Sequence, residues 1–147
     1  MMKTKKRQIL GFTLIELLVA MAIFAMMMAV ALVAYQGTRK SARDGKRKAD
    51  VEQIRSALEM YRADEGVYPP GTLSTDSVIA SDTGTYLTIP PDPDSDNRKY
   101  YYTNLGSGSY AVCASLEIPG SGAADCGGNV CQAGTLNVLC NYEVKNP

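Results

Sequence analysis

The sequence predicts an α+β chain in which one long N-terminal helix, apolar in its first half and amphipathic in its second, packs on a small antiparallel sheet. Three observations carry that expectation. An apolar run, FTLIELLVAMAIFAMMMAVALVAY, fills residues 12–35 with Glu16 as its single charge. Residues 38–65 contain no proline and repeat apolar side chains at helical spacing. Beyond residue 67 the chain turns to Ser, Thr, Gly, Pro and Tyr with hairpin signals, and all four cysteines lie there.

The apolar run comes first. Its 24 residues give about 36 Å of helix, enough to cross a bilayer core. A secretory signal peptide would be shorter and would end in a small-residue cleavage site, which Gln36-Gly37-Thr38-Arg39 does not resemble. Charge asymmetry agrees with a membrane segment. Lys3, Lys5, Lys6 and Arg7 precede the run, Arg39, Lys40, Arg43, Lys46, Arg47 and Lys48 follow it around a single acid, Asp44, and residues 67–147 are net acidic. The basic residues of 39–48 read as a solvated helix face near lipid phosphates. With 15 basic and 15 acidic residues the formal net charge is zero, so the total does not point to nucleic acid. The chain has no His, which removes hydrolytic triads and His-ligated zinc from consideration.

Glu16 is the residue that a plain membrane anchor does not explain. A lone carboxylate in an apolar segment costs on the order of 2–3 kcal/mol, and such a residue calls for a cation. A free amine at Phe12, released by cleavage after Gly11, would supply one. Gly11-Phe12-Thr13-Leu14-Ile15-Glu16-Leu17-Leu18-Val19 resembles the N-terminal signal of type IV prepilins and type II secretion pseudopilins. The resemblance implies that a membrane-embedded prepilin peptidase cuts between Gly11 and Phe12 and N-methylates Phe12. It implies further that Glu16 pairs with the N-terminal amine of a neighbouring subunit and sets the stagger between subunits. This chain departs from the family at Leu10, where a basic residue is usual, and in having no proline before Pro69.

The helix is expected to continue past the membrane. Val51, Ile54, Leu58 and Tyr61, with Ala57 beside them, form one apolar stripe, and Glu52, Arg55, Glu59 and Arg62 form a charged one. Gly66 is placed to cap the helix, and Pro69-Pro70-Gly71 forbids continuation. Residues 71–97 read as loop, with a short helical turn around 77–80. Tyr100–Asn104 and Tyr110–Leu116 flank a Gly-Ser hairpin, and Leu136–Val144 is a third strand. The resulting organisation is a leader (1–11), an apolar transmembrane or filament-core helix (12–36), its amphipathic continuation (37–66) and an extracytoplasmic sheet domain (67–147). Ala57–Pro69, Ile89-Pro90-Pro91-Asp92-Pro93 and Tyr100-Tyr101-Tyr102 resemble the major pseudopilin, type II secretion protein G.

Two sets of side chains invite a site. Cys113, Cys126, Cys131 and Cys140, even in number and clustered, read as disulfides formed outside the cytoplasm. The pairs Cys126–Cys131 and Cys113–Cys140 are expected. A zinc tetrathiolate is the sharper alternative, but the spacings lack a Cys-x-x-Cys knuckle. Asp92, Asp94 and Asp96 alternate like the opening of a calcium loop, although the twelfth position is Thr103 rather than Glu. The resemblance to major pseudopilins, which bind calcium near their sheet, makes structural Ca2+ the one cofactor to consider.

The function expected is therefore structural and not enzymatic: a pseudopilin subunit of an extracytoplasmic filament acting in protein secretion. A type IV pilin or competence pseudopilin is the alternative within that class. A monomeric membrane-tethered binding module is a reading from a different class. The filament reading implies self-association, prepilin peptidase, other pseudopilins and an inner-membrane assembly platform as partners. It places the chain in the inner membrane as a single-pass protein with its C-terminal domain outside.

Overall fold

The computed structural model describes residues 11–118, 126, 130–132 and 139–146. It contains one helix, α1 (Leu14–Glu65), and six strands: β1 (Thr72–Ser74), β2 (Val78–Ser81), β3 (Gly84–Thr88), β4 (Tyr101–Gly106), β5 (Ser109–Ala114) and β6 (Tyr142–Lys145). The expected α+β arrangement of a long helix and a small antiparallel sheet is present. Two compact units divide the chain after Thr38. In the first unit the residues of α1 are all exposed. In the second, the rest of α1 packs against a four-stranded antiparallel sheet of order β1-β4-β5-β6, while β2 and β3 form a separate hairpin.

The core of the second unit follows the stripe read from the sequence. Val51, Ile54, Ala57 and Leu58 are all buried, and Tyr61 meets Tyr86 edge-on at 5.7 Å. α1 stops where Gly66 takes a positive φ of 74° and donates its N–H to the Arg62 carbonyl at 2.8 Å, the glycine cap that the sequence signals. Opposite the stripe, Tyr68, Tyr100, Tyr102, Tyr110, Val112 and Ala114 close the core. The buried tyrosines must still satisfy their hydroxyls. Tyr100 donates to Asp50 at 2.8 Å, Tyr110 to Glu59 at 2.9 Å and Tyr102 to the Pro69 carbonyl at 2.7 Å. Helix carboxylates thus anchor the sheet's tyrosines, and burial pushes the Tyr102 phenol up to about 12.

β4 and β5 are the hairpin the sequence predicts, joined through Ser107 (φ 55°) and Gly108 (φ 78°), the pair of positive φ values that a two-residue turn matched to strand twist requires. Residues 71–97 differ from expectation: they hold β1, β2 and β3 instead of a loop with a helical turn. Val78 and Ile79 pair with Thr88 and Leu87, and after a bulge Ala80 and Ser81 pair with Thr85 and Gly84 across a tight turn at Asp82-Thr83; the buried Ile79 explains why strand pairing prevails there. The third expected strand is realised as β6, which begins at Tyr142; residues 136–138 of the anticipated span lie outside the described residues.

β5 is buried on both faces. Tyr110, Val112 and Ala114 face the helix side, whereas Ala111 and Cys113 alternate with them and join Cys126, Cys131 and Cys140 in a second small cluster. Two disulfides make that cluster, Cys113–Cys126 and Cys131–Cys140, so both expected pairings are wrong. The register gives the reason. Cys113 stands opposite Glu143 and Ala114 opposite Tyr142, which leaves Cys140 about three residues, or roughly 10 Å, along the strand from Cys113 and beyond bridging reach. All four sulfurs are consumed, which leaves none for a zinc tetrathiolate. Non-reducing peptide mapping is expected to recover Cys113 with Cys126 and Cys131 with Cys140. A peptide joining Cys113 to Cys140 would contradict the β5–β6 register.

Candidate functional site

Gly11 and Phe12 precede α1 and are exposed, with Phe12 88% accessible. Glu16 lies in the first turn of α1. Its Oε2 accepts the backbone N–H of Thr13 at 3.1 Å and the Thr13 hydroxyl at 2.9 Å, while the Glu16 N–H donates to Thr13 Oγ1 at 3.3 Å. Thr13 and Glu16 therefore form a capping box, each satisfying the other at the helix start, where the macrodipole also favours a carboxylate. Glu16 is thus not without local partners, as charge counting alone implied. Thr-x-x-Glu ahead of an apolar run was the signal that reveals it.

A second constellation occupies the base of the sheet unit, and sequence reasoning missed it. Arg47 is fully buried. Its Nε and Nη2 donate to the two oxygens of Asp92, each at 2.8 Å, and its Nη1 donates to Asp44 at 2.7 Å and to Glu117 at 3.0 Å. Arg43 makes a second two-pronged contact with Glu117. Asp44 accepts the backbone N–H groups of Glu117 and Ile118 at 2.9 and 2.8 Å. The expectation of a solvated basic face over 39–48 is thereby corrected for Arg43 and Arg47. Residues 44 and 47 continue the stripe 51, 54, 58 toward the N-terminus at the same helical spacing, so the buried face extends past its last apolar residue. A search confined to apolar side chains does not see it.

Burial opposes the charge on Arg47, but its hydrogen bonds to Asp92, Glu117 and Asp44 outweigh that, and its pKa lies above the usual arginine value. Hydrogen bonding from Arg43, with help from Arg47 and against the opposing effect of burial, holds the Glu117 carboxyl at about 2, below its ordinary 4.5. A carboxyl depressed in the folded state contributes stability above its unfolded pKa and loses it as pH falls toward the folded one. That contribution is on the order of 2–3 kcal/mol.

The alternating aspartates do not assemble a calcium site. Both oxygens of Asp92 are taken by Arg47; Asp94 accepts from Arg98 at 2.8 Å and from Asn97 at 2.9 Å; Asp96 is exposed. Among the described residues no three Asp, Glu, Cys or His side chains are grouped to hold a metal ion. The residues present therefore do not fit the ion that the motif implies. Stability measured by denaturant between pH 7 and pH 2 is expected to fall mainly from about pH 4.5 downward. Glu117→Gln is expected to be less stable at neutral pH and flatter below pH 5, whereas parallel curves for the two proteins would contradict the depressed carboxyl.

Comparison with known proteins agrees with both halves of this arrangement. Residues 6–32 match the model of the prokaryotic N-terminal methylation motif, and residues 34–125 match that of type II secretion system (T2SS), protein G. Curated relatives named type II secretion system core protein G include those of Pseudomonas aeruginosa, 29% identical over 69% of this chain and 68% of the relative, and Vibrio cholerae, 26% identical over 65% and 73%. That of Aeromonas hydrophila is 26% identical over 97% of this chain and 98% of its own length. No solved structure matches. The methylation motif over the apolar helix and the protein G match over the sheet unit together place this chain in the type II secretion system protein G family.

Proposed function

We propose that the chain is the structural subunit of a type II secretion pseudopilus, held in the inner membrane by α1, cut after Gly11, N-methylated at Phe12 and then packed into a filament. One observation carries the reading. α1 is long and apolar enough to cross a membrane, and its apolar first part is wholly exposed: Leu14, Met21, Phe24, Met26 and Val33 all exceed 60% accessibility. An apolar surface of that extent needs an apolar partner. Lipid is the first partner and other copies of the same helix are the second. The sheet unit needs no such cover, because its own core and two disulfides close it.

Glu16 fits a role in assembly. The capping box holds its carboxylate at the helix start beside Phe12, where a neighbouring subunit's freed amine can reach it. Exchange of the Thr13 hydroxyl for an ammonium replaces a hydrogen bond in which only the carboxylate is charged by one in which both partners are, adding an ion pair in an apolar surrounding. The prepilin peptidase, the other pseudopilins and the assembly platform are the partners this role requires. The family match over residues 34–125 supports secretion rather than a pilus or competence system. An uncut, monomeric tethered module would give Glu16 no function beyond its cap.

Intact-mass measurement of membrane fractions is expected to find a chain starting at methylated Phe12. Glu16→Leu is expected to be inserted and largely cut, yet to give few, short or irregular filaments beside wild type. An intact leader on assembled protein, or normal filament yield and length with Leu at position 16, would overturn the reading.

A further inference from the structure

The stretch Asp92-Pro93-Asp94-Ser95-Asp96-Asn97 has the spacing of a calcium loop's opening, yet the folded chain supplies its cations from within. Arg47 donates to both oxygens of Asp92, and Asp92 Oδ1 also accepts the backbone N–H of Asp94 at 2.7 Å. Arg98 covers Asp94, and the N–H groups of Asn97 and Arg98 close on the Asp94 carbonyl at 3.0 and 2.9 Å. Four carboxylates (Asp44, Asp92, Asp94, Glu117) face three guanidiniums (Arg43, Arg47, Arg98), so the group carries a net charge of −1. Seating a divalent ion on Asp92 would require the buried Arg47 guanidinium to give up both of its hydrogen bonds to that carboxylate and would set a second cation beside it.

We propose that Arg47 is the resident cation of this segment, so that residues 92–98 are held in place without calcium. The inference goes beyond the filament role and does not rest on it. A guanidinium suits the task because its planar fork reaches carboxylates on several segments at once, here from α1, the 92–98 turn and the stretch after β5. A cation built into the chain also has no mass-action dependence. A bound ion stabilises in proportion to the logarithm of its concentration, whereas Arg47 stabilises equally in any medium. The 92–98 segment would therefore be held alike whether the extracytoplasmic space is rich or poor in calcium.

The test is thermal unfolding of the full-length protein in detergent micelles, followed by near-UV circular dichroism, with excess EDTA and with millimolar calcium chloride. The melting temperature is expected to be the same in both to within about 1 °C, where a saturated calcium site would separate them by roughly 10 °C. In parallel, Arg47→Lys keeps the charge but loses the fork, and is expected to melt several degrees lower in both media alike, or to lose its folded signal. A fall in the wild-type melting temperature on chelation would overturn the proposal. So would an Arg47→Lys variant that melts as the wild type does.

Discussion

The guanidinium of Arg47 joins parts of the chain that lie 45 and 70 residues away from it, and its four contacts decide how the sheet unit is held to its helix. From α1 it reaches Asp92 on the turn before β4 and Glu117 just after β5. Such a charge is costly to bury alone and is tolerated only because every carboxylate around it is aimed at it. The arrangement is therefore all-or-none: with the guanidinium in place the turn and the stretch after β5 have fixed positions, and without it Asp44 and Asp92 are buried charges with no cation between them. Beyond it along the helix the contacts change character, to the apolar Val51, Ile54 and Leu58, flanked by Asp50 and Glu59 with a tyrosine hung on each. A unit with so small an apolar core gains register from these polar fastenings and a second covered face from its disulfides.

The same helix obeys two sets of rules in its two units. From Leu17 to Tyr35 its side chains are apolar and exposed, which suits a lipid solvent or a bundle of identical helices and nothing aqueous. From Arg39 onward it carries one buried stripe and a charged remainder, the pattern of a helix half-covered by a sheet in water. A filament subunit needs this combination: one part of the helix offers a bare apolar surface among the described residues, and the other is covered by its sheet. Glu16 sits in the first part as a charge that its own Thr13 partly satisfies. It can therefore reside in a lone subunit without being left bare.

Much of this was legible from residues alone, for physical reasons that differ from place to place. The apolar run, the stripe 51–58, the Gly66 cap and the β4–β5 hairpin are local patterns, and local patterns survive in sequence. The disulfide pairing was not legible, because it depends on the register of β6 against β5, which no spacing between cysteines encodes. The strands β1 to β3 hid in a Ser- and Thr-rich stretch whose strand character comes from cross-strand pairing and the burial of Ile79. Arg47 hid in a run of basic residues. Its burial follows from its place on the stripe, while its partners at 92 and 117 are visible only once the chain is folded.

The central claim is that Arg47 and Asp92 act as one unit, and a double-mutant cycle tests it most directly. Stabilities of the wild type, Arg47→Met, Asp92→Leu and the double variant would be measured by denaturant unfolding at neutral pH. The account predicts that either single change costs about 3 kcal/mol or more, because each strands a buried charge. The double variant should then recover a large part of that loss, with a coupling of roughly 1–3 kcal/mol. Two additive losses with no measurable coupling would contradict the account, for they would mean that the guanidinium and the carboxylate stabilise the fold independently of one another.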